Sequence, residues 1–370
     1  MNHLEKENRR FLTEQIITYL GNKRSLLKYI DHEIHGIRHK LGREKLVAVD
    51  LFSGSGIVAR MMKQHSKHLI VNDLEAYSRV LNACYLSNRE DFDPLLYHEC
   101  REAVQQRIHQ QDFSAGLVTT HYAPKDDQRI QPGERVFYTT RNALLIDTIR
   151  EEIDKMPASH QKYFMAPLLY EASVKTNTAG VFKGFYKDSR TGIGKFGGTG
   201  AYALQRIKGE IKVLKPVLSD HACQVTICQE DANELVKQLS PVDVVYIDPP
   251  YNQHPYGSNY FMLNLILENR LDAEISRVSG IPRNWRRSDY NVRGRVLDAL
   301  EQVVADLSSR FLIISYNSEG FISYEQMHRM LSRYGKLATR EILYNTYRGS
   351  RNLNGRNLYV QEYLFILDKQ

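Results

Sequence analysis

The sequence predicts an α/β protein, a doubly wound and mostly parallel sheet with a mostly helical insertion. Three observations predict it. Four short apolar runs, at residues 47–49, 69–73, 225–228 and 244–247, each stop on or shortly before an acid. The first opens into a glycine-bearing turn followed by a helical pattern at 57–64. A long stretch with helical spacing separates the first two runs from the last two, and short buried strands divided by helices make a parallel sheet.

Taken in chain order, Tyr19-Leu20-Gly21-Asn22-Lys23 comes first. It places a glycine and a lysine on a turn before the helical pattern of Leu26, Leu27 and Ile30. Next, Val47-Ala48-Val49-Asp50-Leu51-Phe52-Ser53-Gly54-Ser55-Gly56 reads as a buried strand entering a turn whose glycines admit close backbone approach to a ligand. Arg60 and Met61 stand where a third glycine of a dinucleotide fingerprint could sit, and no phosphate-loop pattern ending in Gly-Lys-Ser/Thr occurs. Leu69-Ile70-Val71-Asn72-Asp73 is a second strand ending on an acid, the place where such sheets grip ribose hydroxyls. Residues 225–228 form a third, followed by Gln229-Glu230-Asp231-Ala232.

The densest chemistry follows the fourth run, at Asp248-Pro249-Pro250-Tyr251. Prolines lack an N–H, so they end strand pairing and hold a rigid turn. The turn offers the Asp248 carboxylate and the Pro249 carbonyl as two acceptors at the strand's carboxyl end, where open α/β sheets bind ligands. Two acceptors beside an aromatic ring suit a flat group carrying an NH2, although Asp-Pro-Pro also serves as an ordinary strand-ending turn. Residues 252–260 read as a loop, 311–315 as another central strand, and 341–344 with 362–366 as a closing hairpin.

The insertion carries helical spacing at 77–84, 95–110, 144–154 and 161–174, with a Pro- and charge-rich loop at 121–133. Between Lys175 and Lys215, nine basic residues face two acidic ones, a surplus equal to the chain's whole net charge of +7. Seven glycines lie between Gly180 and Gly200, too many for a helix, interleaved with Phe182, Phe185, Tyr186 and Phe196. A basic, glycine-rich ribbon can follow phosphates while side chains reach base edges, and it can equally be a solvated loop. Lys183, Lys187, Arg190 and Lys195 are the candidate DNA contacts here. Arg286, beside the lone Trp285, and Arg351, between the last two strands, are the others.

The ordered set Tyr-x-Gly-Asn-Lys, Asp-Leu-Phe-Ser-Gly-Ser-Gly, Asn-Asp, Asp-Ala and Asp-Pro-Pro-Tyr resembles the alpha group of adenine-N6 DNA methyltransferases, the Dam-like modification methylases of restriction systems. The matching blocks run from 19 to 73 and from 225 to about 318 and cover nearly half the chain. The resemblance implies a Rossmann-like methyltransferase sheet and S-adenosylmethionine as cofactor. It implies a catalytic domain at 1–85 and 218–370, with a target-recognition domain at 86–217. Phe52 would pack on the cofactor, with Gly21, Asp50, Gly54, Ser55, Gly56 and Ala232 around it. Asp73 would take the ribose hydroxyls and Asp231 the cofactor's adenine amine. Lys23 would lie near the methionine carboxylate or the DNA. Asp248, Pro249, Pro250 and Tyr251 would hold a flipped target adenine.

The remaining features bound the alternatives. Cytosine-C5 chemistry needs a cysteine nucleophile, and Cys84, Cys100, Cys223 and Cys228 are scattered, with no Cys-x-x-Cys and no expected metal site. The first fifteen residues are polar and charged, and no run of eighteen apolar residues occurs, so a cytoplasmic, DNA-associated protein is expected. Expected partners are duplex DNA and a separate restriction endonuclease acting on the same site, with a monomer favoured over a dimer. The rival readings are a catalytically silent DNA-binding regulator, an RNA or nucleotide methyltransferase and an N4-cytosine enzyme.

Overall fold

A computed structural model of the chain describes residues 7–198, 201–272, 274–345 and 359–369. Its seven strands are β1 (Leu46–Asp50), β2 (Ser66–Asn72), β3 (Gln224–Cys228), β4 (Val242–Ile247), β5 (Ser309–Asn317), β6 (Lys336–Asn345) and β7 (Tyr359–Asp368). They form one sheet in the order β3-β2-β1-β4-β5-β7-β6. Strands β1 to β5 pair in parallel. Strand β7 enters antiparallel between β5 and β6. The chain winds outward from β1 through β2 to β3, then returns to β4. The order therefore reverses between β1 and β4, and a crevice opens there at the strands' carboxyl ends.

The central strands are continuous apolar runs because both faces of the sheet are covered. Side chains alternate along a strand, and the core divides accordingly. Ala48, Leu69, Val244 and Tyr246 face a cluster that includes Ile30 and Ile34 of the helix Leu27–Leu41 and Met61 of the helix Ile57–Lys63. Val49, Ile70, Val245 and Ile247 face the other cluster, with Leu300 of the helix Val296–Asp306 and Met330 of the helix Tyr324–Leu331.

The insertion is helical as its spacing predicts. Its helices are Pro94–His109, Leu117–Tyr122, Thr140–Lys155 and Ala158–Lys175. Asp93 caps the first, accepting from the N–H of Leu95 and Leu96, with proline at the opening position. Tyr122, Phe137, Phe164 and Leu168 from this region belong to the same apolar cluster as Ala48 and Val244. The insertion thus shares a core with one face of the sheet.

Three local expectations change. The helix Leu117–Tyr122 takes the first two residues of the expected loop at 121–133. The expected loop at 252–260 contains a helical turn, Tyr256–Asn259, started by Pro255, whose fixed φ suits entry to a helix. A helix, Ala201–Lys208, follows the glycine-rich ribbon, and within it Arg206 donates to the carbonyls of Val174 and Thr176. That cation therefore ties the ribbon's end to the preceding helix. Among the described residues, no helix is long and apolar enough to cross a membrane.

Candidate active site

A cleft opens across the carboxyl ends of β1 to β4. From β1 it receives Asp50, Phe52, Ser53, Gly54 and Ser55. Gly54 sits at φ +52°, and a Cβ there would lie 2.7 Å from the Tyr19 ring, so glycine is required on both counts. Gly56 stands behind the turn rather than in the cleft. At φ +77° it would press a Cβ to 2.4 Å from Asn82 Oδ1. Asn82 in turn donates to Ser53 Oγ at 2.9 Å. The second glycine therefore serves turn geometry and helix packing.

Asp50 is fully buried, and neither carboxylate oxygen has a hydrogen-bond partner. Burial pushes its proton affinity well above the usual carboxylate range, and Asp248 and Asp73 add to this. The N–H groups of Ala59 and Phe52 oppose it without reaching hydrogen-bond geometry.

At the end of β2, Asp73 Oδ2 accepts the Gly54 N–H at 2.7 Å, and Oδ1 accepts the Glu75 N–H at 2.8 Å. It thereby locks the β1 turn. Burial raises its proton affinity while these N–H groups pull the other way. After β3, Asp231 caps a short helix, accepting from the Asn233 N–H at 2.9 Å, and it lines the cleft with Ala232. Phe52 and Tyr290 meet edge to face at 4.9 Å beside it. These rings make an apolar wall next to an exposed carboxylate.

At the end of β4, Asp248, Pro250 and Tyr251 line the cleft, and Pro249 between them is buried. Lys23 reaches in from the turn before the helix Leu27–Leu41. Its Nζ lies 3.2 Å from Asp248 Oδ1 and 2.7 Å from Glu362 Oε1 on β7. This places a residue that sequence alone left undecided. Burial pushes the Asp248 carboxyl up to about 7; Lys23 pulls it down and Glu362 pushes it up. Burial opposes the charge on Lys23, and the two carboxylates outweigh that and raise it.

The segment around Gly21 is tied to the residues after β4. Tyr256 Oη donates to the Leu20 carbonyl at 3.1 Å, and the Leu20 N–H donates to Tyr260 Oη at 2.7 Å. Tyr19 stacks on Tyr256 and on Tyr260, each at 4.9 Å. A Cβ on Gly21 would meet the hydroxyls of Tyr251 and Tyr256 at 3.4 Å.

The candidate DNA contacts are placed unevenly. Lys183, Arg190 and Lys195 are exposed on the ribbon, and Lys187 lies over the Phe185 ring at 5.0 Å. Lys183 Nζ is 3.1 Å from His254 Nδ1, so the ribbon touches the segment that follows Tyr251. Arg286 lines the cleft and donates to the Leu74 carbonyl at 2.8 Å. Arg351 lies outside the described residues.

Sequence reasoning missed Tyr256, Tyr290, Glu75 and Glu362. Tyr256 stands close enough to Tyr251 in sequence to have been suspected. Glu75, two residues after Asp73, is pushed up to about 7 by burial and by Asp73, and it accepts from Asn264 Nδ2 at 2.7 Å. Glu362 carries no local signal, because only the sheet brings it to Lys23.

Residues 19–330 match the family described as D12 class N6 adenine-specific DNA methyltransferase. The chain is 30% identical to the type II methyltransferase M.NlaIII of Neisseria lactamica, over 95% of this chain and 99% of that protein. It is also 30% identical to the type II methyltransferase M.CviAII of Paramecium bursaria Chlorella virus 1, over 95% and 98%. The modification methylase StsI of Streptococcus sanguinis is 28% identical over 95% of this chain, which spans 52% of that longer protein.

Proposed function

Because the chain belongs to the D12 class of N6 adenine-specific DNA methyltransferases, we propose that its cleft holds S-adenosylmethionine together with an adenine turned out of duplex DNA. The observation that carries this reading is the meeting of Asp248 with the Gly54 turn and the unpartnered Asp50 in one cleft. A methyl donor and a methyl acceptor must both be reached from that space.

The residues fit the donor. Gly54 lets the turn pack flat against the Tyr19 ring, which shapes the cleft wall beside it. Phe52 and Tyr290 offer a wall for a flat ring, with Asp231 at its edge to accept an amine. Asp73 holds one N–H on each oxygen. A carboxylate has about four acceptor sites, so capacity remains for ribose hydroxyls. Asp50 presents buried carboxylate oxygens that a cationic group would satisfy. When bound, S-adenosylmethionine supplies an activated methyl group on a sulfonium.

The chain's own work is done on the adenine. Its N6 amine is a poor nucleophile because the lone pair is delocalised into the ring. Asp248 and the Pro249 carbonyl accept its two hydrogens and draw the lone pair out of the ring plane. Positioning and electrostatics then supply the acceleration. The methylated amine must shed a proton, and a carboxylate held near 7 is matched to receive one. Tyr251 stacks on the extruded base and offsets part of the unstacking cost, a few kcal/mol.

We assign target recognition to residues 86–217, with the basic ribbon at their exposed edge. The relatives named as type II methyltransferases and modification methylases favour a restriction-modification setting, in which a separate endonuclease acts on the same site.

The test is equilibrium binding of S-adenosylmethionine to the wild-type protein and to Phe52→Ala and Asp231→Ala, together with nucleoside analysis of methylated duplex DNA. The expected results are donor affinities at least about tenfold weaker, each such step being about 1.4 kcal/mol, and N6-methyladenine as the product. Unchanged affinity in both variants would remove the donor from this half of the cleft.

A further inference from the structure

We infer that Glu362, on the last strand of the sheet, is a positioning residue of the methyl-transfer site that acts on Asp248 through Lys23. The inference rests on the assignment of Asp248 as the acceptor for the target amine. Glu362 lies beyond residue 330, where the family match ends.

The geometry is a buried chain of three charges. The Glu362 side chain is 0% exposed and that of Lys23 is 4% exposed, against 18% for Asp248 at the cleft wall. Glu362 Oε1 takes Lys23 Nζ at 2.7 Å and also the Ser315 hydroxyl at 2.5 Å. Lys23 then meets Asp248 at the longer distance of 3.2 Å. Glu362 is thus anchored from the interior by β5 and β7, and the lysine is held more closely on its far side than on the catalytic side.

Two consequences follow. Lysine has four rotatable stem bonds, and pinning its head from behind fixes the point charge that Asp248 faces. The second consequence concerns charge. One ammonium shared by two carboxylates grips each less than it would grip one alone. Asp248 therefore keeps more of its acceptor strength for the amine. The other groups around Asp248 leave this balance to the three charges. Burial pushes the phenols of Tyr246 and Tyr256 up, so they stay neutral, and Asp50 is pushed the same way. The Tyr251 ring lies 5.9 Å from Lys23 Nζ.

The experiment is single-turnover methyl transfer across pH for wild type, Glu362→Gln and Glu362→Asp, with S-adenosylmethionine affinity and circular dichroism on each. Glu362→Gln keeps an acceptor for Lys23 and Ser315 but removes the charge. Its acid limb is expected about one pH unit lower, with a slower plateau at high pH and unchanged donor affinity. Glu362→Asp keeps the charge but shortens the reach. It is expected to keep the wild-type limb and lose roughly tenfold in rate through misplacement. An unmoved limb in folded Glu362→Gln overturns the inference. If Glu362→Gln does not fold, a full rate in Glu362→Asp overturns it. Asp248→Ala run in parallel separates the two levels: near-normal turnover there removes the underlying assignment as well, while an inactive Asp248→Ala beside an unmoved limb removes the role of Glu362 alone.

Discussion

In the proposed mechanism Asp248 is the residue on which most of the chemistry depends, and its surroundings make its behaviour predictable. Asp248→Ala removes one of two acceptors for the amine, so methyl transfer is expected to be nearly abolished while S-adenosylmethionine still binds. Asp248→Asn keeps the shape but can turn an N–H toward the amine, and it is expected to be severely impaired as well. A product assay with a parallel binding titration checks both, and near-normal turnover in Asp248→Ala would remove the assignment. The carboxyl is pushed up to about 7. The single-turnover rate is therefore expected to be full above that pH and to fall about tenfold per unit below it, as protonation takes the acceptor away. Stability runs the other way. An acid that binds its proton more tightly when folded favours the folded state at low pH, and Asp248 withdraws that contribution progressively between about 4 and 7. Gly54 gives a second forecast at this scale. Gly54→Ala forces a side chain to φ +52° and to 2.7 Å from Tyr19. The left-handed conformation alone costs roughly 1–2 kcal/mol. Lower thermal stability and lost donor binding are expected, and a calorimetric titration at wild-type affinity would refute this.

At the scale of elements, what could be read in advance depended on how local the signal was. The ends of β1, β2, β3 and β4 were legible because each couples an apolar run to an acid or a turn within a few residues. So were the antiparallel β6 and β7 and the helices Pro94–His109, Thr140–Lys155 and Ala158–Lys175, whereas Leu117–Tyr122 and Ala201–Lys208 were not. What stayed hidden was built across the sheet. Glu362 meets Lys23 across 339 positions of chain, and no periodicity encodes that distance. Tyr290 reaches Phe52 by the same kind of crossover. The turn Tyr256–Asn259 was obscured because its Asn, Gly, Ser and Tyr composition is that of a loop, and packing of Tyr256 on Tyr19 overrides the propensity. Arg286 was expected among the DNA contacts by its company of arginines; it is exposed at the cleft, where it also donates to the Leu74 carbonyl. The ribbon remains the better candidate for phosphates, since Lys183 and Lys195 are exposed there and Lys187 is part-buried over Phe185. The triple variant Lys183→Ala, Lys187→Ala, Lys195→Ala is expected to weaken binding to every duplex. Its salt slope should fall by about one for each phosphate that a lysine no longer neutralises. Donor affinity should hold, because the cleft is lined by other residues. Binding isotherms over a salt series on cognate and unrelated duplexes decide it, and an unchanged slope on both would place the ribbon in solvent.

For the whole molecule, the question is whether catalysis and recognition reside in two separately folding units. A chain of 370 residues is long enough for two domains, and chains of that size often unfold in steps. The packing argues for coupling. One apolar cluster contains Leu69 and Val244 of the sheet, Phe261 after β4, and Tyr122, Phe137, Phe164 and Leu168 of the insertion. Polar ties cross the same boundary: Arg150 Nε donates to the Ile266 carbonyl at 2.9 Å, Tyr122 Oη to the Gly280 carbonyl at 2.7 Å, and Gln15 Nε2 to the Lys215 carbonyl at 2.8 Å. Removing the insertion would expose that shared core, so neither part is expected to hold its fold alone. The cleft is lined by segments near residues 19–23, 50–58, 72–75, 230–232, 246–256 and 286–291, all outside 86–217, so a ligand there reaches the insertion only through the shared core. A ligand that spans these segments ties distant parts of the chain together. The protein is therefore expected to unfold in one calorimetric transition, with equal calorimetric and van't Hoff enthalpies. S-adenosylmethionine at a hundred times its Kd should stabilise that entire transition by about 2.7 kcal/mol. Two transitions, of which only one moves with the donor, would show that residues 86–217 fold by themselves, and the shared cluster would then be an interface between domains rather than a common core.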